Sequence, residues 1–161
     1  FDAHPGNFIV RADGAAVLVD LEKARYSHPP LDLAHATLGT STTWDVDVHA
    51  ELTTAQVAAF YGHWAARIAQ LEGERAAMAW QRWHVPLRAA MWLWAVTWCA
   101  KWRVLSSRSA SAGSDGEDWS REHSGDALVA HVRGRVDLYL SPTVVEGVRD
   151  ELADLGRLIG R

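Results

Sequence analysis

The stretch FDAHPGNFIVRADGAAVLVD, residues 1–20, decides how the rest of the chain is read. Asp2, His4, Pro5, Gly6 and Asn7 crowd together ahead of an apolar run. Two β-rich segments, Phe8–Val10 and Val17–Val19, then flank Ala12-Asp13-Gly14-Ala15. Asp-Gly between such runs is a strong hairpin signal, because Gly takes a positive φ without a Cβ clash. The pattern predicts a small β-hairpin over about 8–20, with Asp20 just past its second strand. Such a hairpin carries Asp20 back beside Asn7, since its strands are short and paired.

Downstream the sequence turns helical. Adjacent prolines in Ser27-His28-Pro29-Pro30 exclude a helix interior there. LDLAHATL, residues 31–38, then reads as a short helix with Gly39 as its stop. Thr53 and Gln56 stand at capping-box spacing. Val57, Phe60, Tyr61, Trp64, Ile68 and Leu71 follow at helical intervals, and Gly73 interrupts. From Glu74 to Leu105 the pattern is helical again, with Pro86 forcing a break or kink. Leu87, Met91, Trp94, Trp98, Trp102 and Leu105 form a stripe broad enough to predict burial on more than one side. Residues 106–126, rich in Ser, Gly and charge, read as a mobile loop. ALVAHVRGRVDLYL (127–140) is helical. Ser141-Pro142 then opens a last helix with Val144, Val145, Val148, Leu152 and Leu155 inside. The expected fold is mainly α, a hairpin followed by a helical bundle, in a single domain over 1–161.

Composition narrows the function classes. The 161 residues are 48% hydrophobic and 22% charged, which suits a chain with a packed core. A net charge of −4 gives no polybasic surface for nucleic acid or membrane. The most apolar stretch, Ala89–Ala100 between Arg88 and Lys101, falls well short of the roughly 20 residues a spanning helix needs. Cys99, the only cysteine, cannot form an intrachain disulfide and reads as an inert core thiol. A cytoplasmic location fits. The histidines show no metal-ligand spacing.

An Asp and an Asn five residues apart, then a hairpin ending in another Asp, is an order that phosphoryl transfer from a nucleotide can use. One carboxylate orients or deprotonates the attacking hydroxyl. An amide oxygen and a second carboxylate hold Mg²⁺ against the phosphates. Asp2 and Asn7 alone are a weak signal, because Asp, Pro, Gly and Asn together usually just make turns. Asp20 alone would suit a strand-end cap.

Together, Asp2…Asn7, VLVDLEKA (17–24) and PLDLAHA (30–36) resemble the C-terminal lobe of the aminoglycoside phosphotransferase and choline kinase superfamily. These are small-molecule kinases of protein-kinase-like fold. Their catalytic loop runs His-x-Asp-x-x-x-x-Asn. Asp2 and Asn7 match its Asp and Asn, and its His would fall one residue before Phe1. The resemblance implies that Asp2 is the catalytic base. It implies that Asn7 and Asp20 are metal ligands, with Asp20-Leu21-Glu22 in place of Asp-Phe-Gly. Asp32 matches the Asp that supports the catalytic loop. Glu22 and His4 are secondary candidates, against a surface ion pair for Glu22 and loop packing for His4.

The implied cofactors are Mg²⁺ and ATP or GTP, and the implied partner is a small hydroxylated acceptor. Trp44 and Trp119 are pocket candidates, and the acids of 45–51 and 115–122 would favour a cationic acceptor. Solvated loop charge explains the same acids. The residues contain no Gly-x-Gly-x-x-Gly phosphate loop, so the N-terminal nucleotide-binding lobe is absent from them. The expectation is therefore a C-lobe fragment of a longer phosphotransferase, inactive alone. The alternative is a kinase-like binding or scaffold module without turnover.

Overall fold

The computed structural model describes residues 3–24, 26–45, 49–108 and 124–160. They are mostly helical and begin with a two-stranded antiparallel hairpin. Strand β1 (Phe8–Val10) sets Phe8 opposite Leu18, Ile9 opposite Val17 and Val10 opposite Ala16 of β2 (Ala16–Leu18). The second strand thus starts and ends one residue earlier than its β-rich run. At the turn, the Arg11 N–H donates to the Ala15 carbonyl and the Gly14 N–H to the Arg11 carbonyl, both at 2.9 Å. Gly14 has φ +82°. That is the three-residue hairpin loop in which the last position must be left-handed, the task Gly performs without strain. Asp13 Oδ1 accepts the Ala15 N–H at 3.0 Å and tightens the turn.

Helix α1 (Pro29–Thr37) begins on the two prolines, whose missing N–H groups would be unpaired in a first turn anyway. Gly39 does not stop it. Leu38 leaves the helix in an extended conformation, φ −74° and ψ 139°, and Gly39 opens the single turn α2 (Gly39–Thr42). Helix α3 (Thr54–Glu72) carries the expected capping box. Thr53 Oγ1 accepts the Gln56 N–H at 3.3 Å, and Gln56 Oε1 accepts the Thr53 N–H at 2.8 Å. Gly73, at φ +92°, separates α3 from α4 (Glu74–Gln81). The next break falls at Arg82 and Trp83, so Pro86 lies in the first turn of α5 (His84–Leu105) rather than at a kink. Helices α6 (Asp126–Tyr139) and α7 (Pro142–Ile159) follow, the latter capped by Ser141 Oγ, which accepts the Val144 N–H at 3.4 Å. Most of the 106–126 loop, residues 109–123 with Trp119, lies outside the described residues.

The chain forms two compact units. The first comprises Phe1–Trp92 and Arg149–Arg161. Its core holds Leu33 of α1, Val57 and Tyr61 of α3 and Leu155 of α7, with Trp64, Val85 and Ile159 packed on them. A second cluster joins Ala34, Leu38 and Met91, with Leu31 and Trp92 against it. The second unit, Leu93–Val148, buries Val96, Cys99, Val136 and Tyr139. Burial pushes the Cys99 thiol up to about 11, as an inert core cysteine requires.

Periodicity misjudged some faces. Helix α5 buries His84, Arg88, Met91, Val96 and Cys99, whereas Leu93 and Trp94 are exposed, so it is not covered on several sides. Phe60 and Leu71 of α3 and Val145 of α7 also face outward, while Glu151 turns partly inward. Among the described residues, no helix is long and apolar enough to cross a membrane.

Candidate active site

The hairpin brings two of the expected site residues together through the backbone. The Val19 N–H donates to the Asn7 carbonyl at 2.8 Å, extending the ladder one step beyond β1 and β2. Asp20 follows Val19 directly, so it stands one residue from the strand position that faces Asn7.

Asn7 ends a 3₁₀ turn, Pro5–Asn7, and is buried. His4 precedes this turn as its cap. Its Nδ1 accepts the Gly6 N–H at 3.2 Å, which requires that nitrogen to be unprotonated. Gly6 is needed for this approach, because a Cβ there would sit 2.9 Å from His4 Cε1. In this geometry the His4 side chain is engaged in capping the turn.

Asp20 is the only non-glycine residue with positive φ among the described residues, at φ 56° and ψ 61°. Asp tolerates this left-handed region better than most side chains but still strains there. The residue precedes a second 3₁₀ turn, Leu21–Lys23, yet its side chain makes no cap hydrogen bond to it. The carboxylate is exposed. A strand-end cap, the plain alternative for Asp20, is thus not what the geometry shows. Glu22 lies exposed in the first turn of that segment. Asp32 sits half-buried in the first turn of α1. Asp2, the expected base, lies outside the described residues.

The donors fit Mg²⁺ in kind. An amide oxygen and a carboxylate are hard ligands, and Mg²⁺ takes one or two protein carboxylates with nucleotide phosphates and water completing its shell. The absence of any group of three His, Cys, Asp or Glu residues among those described is compatible with that sparse coordination.

Sequence reasoning missed a second polar cluster. Arg88 stands at the edge of the apolar run in the sequence but is only 1% exposed in the fold. Its Nη1 donates to Thr37 Oγ1 at 2.8 Å and to Tyr61 Oη at 3.5 Å. Its Nη2 donates to the Thr37 carbonyl at 3.2 Å and to Glu151 Oε1 at 2.6 Å, and Nε reaches the same carboxylate oxygen at 3.1 Å. Burial raises the Tyr61 phenol, with Arg88 pulling the other way. Arg88 thereby ties α1, α3 and α7 to α5 and satisfies the last carbonyl of α1. A lone Arg next to hydrophobic residues gives no sequence signal for this, because its partners are far along the chain.

No curated protein and no solved structure matches the chain. Residues 1–70 match the model of the phosphotransferase enzyme family, bearing out the resemblance to the aminoglycoside phosphotransferase and choline kinase superfamily over the stretch that carries Asn7, Asp20 and Asp32.

Proposed function

We propose that this chain is the C-terminal, protein-kinase-like lobe of an enzyme that moves a phosphoryl group from ATP or GTP to a hydroxyl of a small molecule. The observation that carries the reading is the unspent, exposed carboxylate of the strained residue Asp20, set by the hairpin next to the position facing Asn7. The family match over residues 1–70 supports it. Strain retained at a polar residue points to a site, since a structural turn would use Gly there at lower cost.

In this reading Asn7 and Asp20 hold the metal, and Asp2 orients the acceptor hydroxyl and takes its proton. Glu22 stands near enough in sequence to steady a metal-bound water. Asp32 supports the loop. Bound Mg²⁺ supplies charge neutralisation on the transferred phosphoryl group. Aminoglycoside-like, choline-like and sugar acceptors all present a suitable hydroxyl. With no glycine-rich phosphate loop in its sequence, the chain turns over little or nothing by itself.

The test is paramagnetic. Mn²⁺ with ATP, titrated into isotope-labelled protein, is expected to broaden the amide resonances of Asn7 and Asp20 first, and Asp20→Asn to abolish that selectivity. Uniform broadening, or selectivity that survives the substitution, overturns the metal assignment. In the enzyme complete with a nucleotide-binding lobe, Asp2→Asn is expected to lower turnover at least a hundredfold while nucleotide affinity changes little. Turnover that survives this change rules out Asp2 as the base. Lobe-complete protein that binds Mg-ATP but transfers nothing to any acceptor in a panel would favour the scaffold reading.

A further inference from the structure

His84 is the first residue of α5 and is 1% exposed. Both of its ring nitrogens are buried without a hydrogen-bond partner. The ring packs against Tyr61 at 4.6 Å between centroids, and edge-on to Trp64 at 5.6 Å, both from α3. Buried imidazole nitrogens are ordinarily paired, so leaving both unpaired costs stability that an apolar side chain of this size would not.

Every feature of this box disfavours a proton on the ring. No acceptor faces either nitrogen. The N-terminus of a helix repels positive charge. Of the ionisable groups, Tyr61 on α3 touches the ring and Arg88 lies one turn along α5. Tyr61 accepts from Arg88, and Glu151 is held by Arg88. A fixed positive charge is thus joined to the ring's own packing partner.

We propose that His84 is an acid-sensitive latch: α3 and α5 stay closed only while its imidazole is neutral, and proton uptake from solvent drives them apart. Protonation of so enclosed a ring favours the state in which it meets solvent. The step needs only a proton from water. Burial holds the folded-state value down to about 4, against 6.5 for a free histidine. The sign follows from linkage. The unfolded or open ring binds protons more readily than the closed one, so stability is full above about 6.5 and falls as the pH drops toward about 4.

The test is urea unfolding between pH 7.5 and 4.5, followed by circular dichroism, for wild type, His84→Phe and His84→Leu. Carboxylates titrate in all three proteins alike. The wild-type unfolding constant is expected to rise on the order of fifty-fold more than that of either variant over this range. Equal pH dependence overturns the proposal. Should neither variant fold, C2-hydrogen exchange of the wild-type histidines decides. A His84 midpoint below 5 supports the latch, and a midpoint near 6.5 overturns it.

Discussion

At Asp20, stability and the proposed chemistry pull in opposite directions. A left-handed backbone at a residue with a Cβ costs energy that glycine would not incur. Asp20→Gly is therefore expected to stabilise the chain by roughly 0.5–1 kcal/mol, seen as a higher midpoint in urea. The same substitution should erase selective Mn²⁺-ATP broadening at Asn7. A destabilised variant would show that the carboxylate holds the fold together, and the strain would then need another explanation. His4 and Gly6 show a second conflict settled at the scale of single residues. The ring's approach to the Gly6 N–H leaves no room for a Cβ, so a small loop is shaped by one acceptor nitrogen and one missing methyl group.

At the scale of elements, the helix starts are made by local chemistry. The reciprocal bonds of Thr53 and Gln56 satisfy two N–H groups that the helix itself cannot. Thr53→Ala is expected to cost about 1 kcal/mol, read as a lower urea midpoint with unchanged slope. A loss below about 0.3 kcal/mol would mean that packing of Val57 and Tyr61 alone sets where α3 begins. Gly73 marks the helix end legibly, because its φ of +92° suits no other residue. The end of α1 is different. Gly39 is the visible candidate, yet Leu38 makes the exit and Arg88, 51 positions after Thr37, satisfies the helix's final carbonyl. A stop made by a distant side chain leaves no local mark.

For the whole molecule, the Arg88 cluster is the clearest consequence of tertiary packing. A buried guanidinium is costly unless its donors are paired, and here its bonds reach α1, α3 and α7. Arg88→Ala is expected to destabilise the first compact unit by about 3 kcal/mol. It strands the Thr37 carbonyl and the Glu151 carboxylate as well as emptying the space. Arg88→Lys should recover less than half of that loss, since an ammonium cannot reproduce the planar fork. Urea midpoints for the pair of variants check both statements. Full recovery by Lys would mean that charge, not geometry, holds the cluster.

Much of the molecule was legible in residue order because its causes are local. The Asp13-Gly14 turn, the Thr53 capping box, the Gly73 break, the Ser141-Pro142 helix start and the run from Asn7 to Asp20 all depend on residues a few positions apart, or on one short hairpin. Burial was less legible, because it depends on which face meets a neighbour. Trp94 and Phe60 fit helical stripes and are nevertheless exposed, while His84, Arg88 and Glu151 turn inward. By itself the sequence determined a hairpin followed by helices, and a phosphotransferase signature over its first part. Only the tertiary structure decided that Asp20 keeps its carboxylate uncapped and exposed, and that a charged side chain is buried in the first unit. The physical reason is the same in both cases: a polar group's fate depends on partners brought near by folding, and chain order does not specify that distance.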